Sequence, residues 1–443
     1  MSTQSNDEFL SAVPQDAIPI AGTIPAIVGE ETQTPVKRVG LGFIIVYAAA
    51  YFGSWIAVLT PVVVTLALRV QQIDPAGKAT SLSLVLGVGA IFALLANPFF
   101  GKLSDRTRSR FGMRRPWLII GVVSGTIGLL IIALAPNIPL VLVGWCLAQA
   151  GFNALLAVVV AILPDQVPEE QRGLVSGVLG MCQSVAIVAG AFLAQALVGS
   201  TFWMFMAPAV VALITVLVLV FVLHDRTITR DRQLPPYNIG EFLRSFWVNP
   251  RRYPDFGWNW LGRFLFIMGA ATLITYQVFY LTDHLHINPT TVAQLVFIST
   301  LVNTIFLVVF SYLGGLFSDL AHRRKIFVII AALIYTAGLV VVALASSFNM
   351  FLVATAICGI GQGTYFAVDL ALAAAVLPEG GKEAAKDLGV LNIANALPQS
   401  IAPAIAPIFL AIGGGGNYTA LFIAAAIFAL VGALSIQPVK GVR

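Results

Sequence analysis

The sequence predicts an all-α membrane protein of twelve spanning helices arranged as two six-helix repeats. Three observations predict this. The 443 residues are 58% hydrophobic and only 10% charged, with a mean hydropathy of +0.91, whereas soluble domains carry about 25% charged residues. Twelve apolar segments reach the length of about 20 residues that a helix needs to cross a bilayer. Short polar marks in the first half recur 214 residues later in the second.

Residues 1–36 are polar, with Asp7, Glu8, Asp16, Glu30 and Glu31, and are expected to form a disordered cytoplasmic tail. Lys37 and Arg38 then precede an apolar segment, 39–68, that is too long for the core of a cleavable signal. It is expected to stay as the first spanning helix. The others of the first half are expected at 79–103, 117–135, 138–163, 173–198 and 203–223. A long loop follows, with Arg226, Arg230, Arg232, Arg244, Arg251 and Arg252. Its stretch 239–248 (IGEFLRSFWV) has the spacing of a short helix lying on the membrane surface. The second half is expected at 257–281, 291–317, 326–346, 349–377, 388–412 and 416–436. The expected organisation is a tail (1–36), a six-helix bundle (37–223), a cytoplasmic linker (224–256) and a second bundle (257–437).

The cations set the orientation. With the N-terminus inside, only Arg69 and Lys78 of the 25 Lys and Arg residues fall in outer loops, as the positive-inside rule requires. Both termini are therefore expected in the cytoplasm, in a plasma-membrane protein. The net charge of +5 comes from these loop clusters and does not imply nucleic acid. Cys146, Cys182 and Cys358 all lie inside apolar segments, without disulfide or metal spacing, and read as small apolar fillers.

The repeat is visible at two places. Leu103-Ser104-Asp105 corresponds to Phe317-Ser318-Asp319, and Leu163-Pro164-Asp165 to Leu377-Pro378-Glu379. Two parallel six-helix repeats are a known transporter architecture.

Between the second and third segments the chain reads GKLSDRTRSRFGMRRPW, residues 101–117. It holds Lys102, Arg106, Arg108, Arg110, Arg114 and Arg115 with the single acid Asp105. Its glycines suit a tight reversal, and Pro116 suits the first turn of a helix. The run resembles the G-x-x-x-D-R-x-x-x-R-x-G-R-R signature of the major facilitator superfamily. Its extended form is most similar to the sucrose–cation and glycoside–pentoside–hexuronide–cation symporters. The resemblance implies the major facilitator fold and transport by alternating access. It also implies a conformational latch on the cytoplasmic face, carried here by Gly101, Asp105, Arg106, Arg114 and Arg115, with Asp319 in the second half. Met113 stands where the plant sucrose carriers usually have arginine.

No Walker loop, zincin pair, nucleophile elbow or metal-ligand cluster is present. The chain is read as no enzyme, with no cofactor and no metal. Chemistry must then come from polar groups inside apolar helices, where they are costly. Asp369 is the sharpest of these. A carboxylate in low dielectric tends to carry a proton unless a cation faces it, which suits proton coupling. A structural carboxylate satisfied by Arg or amides is the other reading. Arg263, about two turns into the seventh segment, either snorkels to the interface or pairs with Asp369.

Gln362, Tyr365 and Asp369 are spaced on one helical face. Asn392, Asn395 and Gln399 form a similar stripe in the eleventh segment, within a run resembling the same sucrose-type symporters. Tyr276, Gln277 and Tyr280 do so in the seventh, and Tyr51, Trp55, Gln149, Asn153 and Gln183 (with Tyr47) in the first half. Amides bond hydroxyls in both senses and rings stack on sugars, so these residues are expected to line a substrate cavity. Helix–helix glue is the alternative.

Departures from the family qualify the substrate. The second segment has no acid and the fourth none before Asp165, so a melibiose-type sodium site is not expected. The acid and arginine that plant sucrose carriers place in the fourth and fifth helices are also missing. The expected activity is proton-coupled symport of a small polar solute, a sugar or glycoside, by a monomer in the lipid bilayer. A proton-coupled exporter of a small organic compound and a non-transporting sensor are the alternatives.

Overall fold

The computed structural model describes residues 38–225, 248–321, 323–378 and 384–440. The tail, nearly all of the surface-helix stretch and Glu379 lie outside the described residues. Among those described, twelve helices are long and apolar enough to cross a membrane. In the first half they are α1 (Leu41–Ile73), α2 (Lys78–Asp105), α3 (Arg115–Leu134), α4 (Ile138–Gln166), α5 (Glu169–Ala196) and α6 (Thr201–Val222). In the second half they are α7 (Pro254–His284), α8 (Pro289–Ala321), α9 (Arg324–Leu344), α10 (Phe348–Ala375), α11 (Ala384–Leu410) and α12 (Tyr418–Ser435).

Most boundaries fall near the expected ones, and two departures have local causes. Helix α1 runs past Leu68 because Arg69 is satisfied there: its Nη2 donates to Ala135 O at 2.7 Å. Gly101 lies inside α2 and makes no turn. The reversal falls to Gly112, at φ +102°. Pro116 sits in the first turn of α3, where its missing N–H costs nothing. The tight join of α3 to α4 is capped by Asn137, which accepts from Leu140 N at 3.0 Å.

Helices α1 and α7 each contain one π turn, at Pro61–Thr65 and Tyr280–His284. Such wide turns are rare and favour functional positions. In the α1–α2 connection Asp74 accepts from Ser81 Oγ at 2.7 Å and Gly77 N at 2.9 Å. The Ser81 hydroxyl, then the Gly77 amide, hold its carboxyl below the usual range.

The helix pairings of the first half recur six helices later. Helix α2 packs on α4 as α8 packs on α10, α3 on α4 as α9 on α10, and α1 on α6 as α7 on α12. The α3–α4 seam is built of small residues. A Cβ on Gly128 would meet Ala148 N at 2.4 Å, and one on Gly151 would meet Gly125 N at 2.5 Å. Its counterpart joins α9 to α10, where a Cβ on Gly361 would meet Tyr335 N at 2.6 Å. Lipid tails are as apolar as leucine, so close backbone approach is what holds helices together in a bilayer. Many large apolar side chains point outward, Phe221 (82% exposed) among them, as a lipid solvent allows.

The halves meet through α2 against α11, α5 against α8 and α1 against α7. Several contacts lie at the α1–α2 end. Lys78 Nζ is 2.5 Å from Asp283 Oδ1 and its ammonium sits 5.0 Å from the Phe279 ring centre. Tyr418 OH donates to Asp283 Oδ2 at 2.7 Å. Nearby, Ser83 Oγ and Tyr276 OH are 2.5 Å apart.

Candidate functional site

Three polar assemblies are set into the apolar frame. The first is the signature loop. Arg114 is 5% exposed. Its Nη1 lies 2.5 Å from Asp105 Oδ1 and also donates to Ser104 Oγ, while its Nε donates to Asp165 Oδ2 at 2.9 Å. The ends of α2 and α4 are thereby tied to the start of α3. Asp225, just past α6, accepts from the backbone N–H of Arg114 at 2.7 Å and of Arg115 at 2.8 Å. A carboxylate at a helix N-terminus satisfies donors that have no partner within the helix. A Cβ on Gly112 would strike Asp225 Oδ2 at 2.1 Å, so glycine is required by space as well as by φ. Arg115 donates to Leu223 O. All these partners of Arg114 lie in the first half of the chain. Arg106 caps the end of α2. Asp319 lies in α8, and its side chain is outside the described residues.

The second assembly is a buried ion pair. Arg263 Nη2 on α7 is 2.6 Å from Asp369 Oδ2 on α10. Asp369 is fully buried and Arg263 nearly so. The attraction is Coulombic. Neither carboxylate oxygen, nor the Arg263 Nε–H, nor the Tyr365 hydroxyl has a hydrogen-bond partner of good geometry among the described residues. One turn earlier on α7, Asn259 is fully buried with its amide likewise unpartnered among the described residues.

The third is a small pocket of about 70 Å³ between the halves. Gln277 and Gln362 line it, with Ser184, Ser299, Asn303 and Thr304. Gln277 Nε2 reaches Val63 O of the α1 π turn at 3.5 Å. No charged side chain lines it.

The stripes read from the sequence divide among different surroundings. Gln277 and Gln362 line the pocket. Gln149 is buried, and Asn153 Nδ2 donates to its Oε1 at 3.0 Å. Gln183, Tyr51 and Trp55 are half-buried, the last two packed edge to face at 6.2 Å. On α11, Asn392 and Gln399 are exposed and Asn395 is half-buried. Tyr276 bridges the halves through Ser83.

Two aromatic residues are corrected. Tyr280 is fully buried and donates to Val342 O at 2.5 Å and Ala345 O at 3.1 Å. It packs among Phe351, Phe422 and Tyr418 of its own half. Tyr365 stacks on Phe266 at 3.7 Å, between α7 and α10, and does not line the pocket. The wheel puts residues on a common face but does not say which neighbour that face meets.

Sequence reasoning missed Asp225, the Lys78–Asp283–Tyr418 cluster and the polar face of α8. The α8 face was readable: Ser299, Thr300, Asn303 and Thr304 follow helical spacing. The Lys78–Asp283 pair was not, because its members sit 205 residues apart.

Comparison with known proteins agrees with this architecture. The Major Facilitator Superfamily model matches residues 43–312 and 259–440. The chain is 30% identical over 164 residues to the MFS-type transporter TOXA of Cochliobolus carbonum, covering 35% of this chain and 27% of that protein. It is 49% identical over 49 residues to the uncharacterized symporter sll1374 of Synechocystis, covering 11% of this chain and 8% of that protein. The chain thus spans under a third of the length of either of these relatives. A bacterial homolog of the human lysosomal transporter Spinster, inward-facing and unoccupied, superposes with a TM-score of 0.69 at 16% identity. That match covers 89% of this chain and 95% of the other. A mutant of the nucleoside transporter NupG gives 0.71 at 12% identity, over 90% and 99% of the two chains. With twelve apolar helices among the described residues, a repeated six-helix pattern and a family match along nearly its whole described length, the chain belongs to the Major Facilitator Superfamily and has its multi-pass membrane fold.

Proposed function

We propose that the protein is a secondary active transporter that moves a small uncharged polar solute, of the sugar or glycoside class, by proton-coupled symport. The observation that carries this reading is the pocket between the halves, lined by amides and hydroxyls set among Val63, Ile187, Leu273, Ile274 and Leu307 and by no charged group. Amides donate and accept, so they match hydroxyl groups of either sense. The same lining offers nothing to balance a solute's charge in low dielectric.

Asp369 is the coupling group in this reading. Arg263 is its partner while it is ionised, and a proton takes that place when the site opens. Breaking a buried pair costs about 3–5 kcal/mol, so protonation and rearrangement are linked. The two six-helix bundles, 37–223 and 257–437, move as bodies about the pocket, with the signature loop biasing one state. In this reading the signature loop and both termini face the cytoplasm, which the clustering of cations in these loops favours, in a plasma-membrane monomer.

Uptake and counterflow in proteoliposomes test the reading, with a panel of monosaccharides, methyl glycosides and nucleosides, with and without a pH gradient. Asp369→Asn is expected to keep exchange and lose accumulation driven by that gradient. Accumulation that survives in Asp369→Asn makes the carboxylate structural. Absence of uptake for every uncharged member of the panel overturns the solute class.

A further inference from the structure

The polar pocket is too small to be a complete solute site. Its volume of about 70 Å³ is well below the roughly 300–1,000 Å³ of ordinary small-molecule sites. It is not isolated. Ser184, Thr304 and Leu307 line it and also line a second cavity of about 850 Å³ between α5 and α8. That second cavity falls inside the usual size range and is more uniformly apolar, walled by Val188, Leu301, Phe297 and other apolar side chains, and it opens to the outer surface, where Met181, Val185, Phe192, Val308 and Tyr312 are exposed. Gly180, Ser184, Val188 and Phe192 follow one face of α5 along it. From Gly180 to Phe192 the rise is about 18 Å. The Phe192 and Phe297 rings, 5.6 Å apart, pack across its α5 and α8 walls. No Asp, Glu, Lys or Arg lines either cavity.

We propose that the transported solute is an uncharged amphipathic molecule, with its hydroxyl- or amide-bearing end in the polar pocket and an aromatic or alkyl body in the α5–α8 cleft. This rests on the solute class proposed above and narrows it. A free monosaccharide would fill neither the small pocket's apolar neighbour nor its inner walls, Val188 and Leu301, and would leave them to lipid. An apolar molecule alone would strand the amides of Gln277 and Gln362. The hydroxyls of Ser184 and Thr304 stand at the seam where the two characters meet.

The test uses matched pairs in proteoliposomes: methyl and phenyl β-D-glucopyranoside, methyl and phenyl β-D-galactopyranoside, and methyl and phenyl α-D-glucopyranoside. Binding is measured by competition and transport by counterflow. In at least one pair the phenyl member is expected to bind about tenfold tighter or better, from burial of its ring. Val188→Asn and Leu301→Asn are expected to weaken the phenyl member more than the methyl member. Leu301→Trp, which fills the cleft without adding polarity, is expected to do the same and controls for misfolding of the polar variants. Equal binding of both members of every pair overturns the inference, and is the result expected if a bilayer acyl chain occupies the cleft. A phenyl preference that survives all three variants also overturns it. Uptake of methyl glycosides with no phenyl advantage sinks this inference and leaves the proposed function standing. No binding of any pair also sinks this inference, and the proposed function falls with it only if the monosaccharides and nucleosides of the wider panel fail as well.

Discussion

Arg263 on α7 and Asp369 on α10 form an ion pair at 2.6 Å inside the second half, with the carboxylate fully buried. Its members are 106 residues apart in sequence and lie on helices that the repeat brings together.

The pair predicts a non-additive stability pattern. Arg263→Gln or Asp369→Asn alone leaves one charge in low dielectric, a loss of about 3–5 kcal/mol. The double variant removes both charges and is expected to be more stable than the worse single variant. Thermal unfolding in detergent checks this. Additive losses would show that the two groups do not share one interaction.

The Arg114 cluster predicts a division between stability and rate. Arg114→Ala strands Asp105, Asp165 and Ser104 and is expected to lower the melting temperature. Asp105 is half exposed, so Asp105→Asn is expected to cost little stability. It should slow translocation while keeping solute binding within a few-fold, because it shifts a population and not the site. Stopped counterflow with unchanged binding supports this. Lost binding in a folded Asp105→Asn protein counts against it.

The Lys78–Asp283 pair between the halves predicts a charge-swap rescue. Lys78→Asp alone puts a second carboxylate opposite Asp283 and is expected to open that end. Lys78→Asp with Asp283→Lys restores the attraction and is expected to recover most of the transport. Accessibility of a cysteine at Ser83, in a background without native cysteines, reports the opening. Equal accessibility in the single and double variants would exclude a gating role for the pair.

Orientation is checked by labelling single cysteines in intact cells. A cysteine at Arg108 is expected to resist an impermeant reagent and one at Gly414 to react. The reverse pattern would invert the topology.

The sequence made the helices legible because lipid imposes a simple rule: about 20 apolar residues per crossing. The signature loop was legible because its glycines, proline and arginines lie close together in the chain. Asp369 stood out because an acid in an apolar span is costly. The site itself was legible only in part. Gln277 and Gln362 line the pocket, whereas Tyr280 and Tyr365, on the same expected stripes, face their own half's core. Asp225 escaped notice because nothing local distinguishes it from other loop acids; only the fold brings it to Gly112 and the start of α3.

The glycine seams between α3 and α4 and between α9 and α10 have a mechanical consequence. Backbones held this closely leave little play, so each half acts as a stiff lever. Helix α2 has 28 residues, a length of about 42 Å. A lever of that length pivoting by about 10° at the Lys78 end sweeps its far end through about 7 Å. A passage wide enough for a solute therefore needs no helix to unfold, only a small tilt of the half that carries α2.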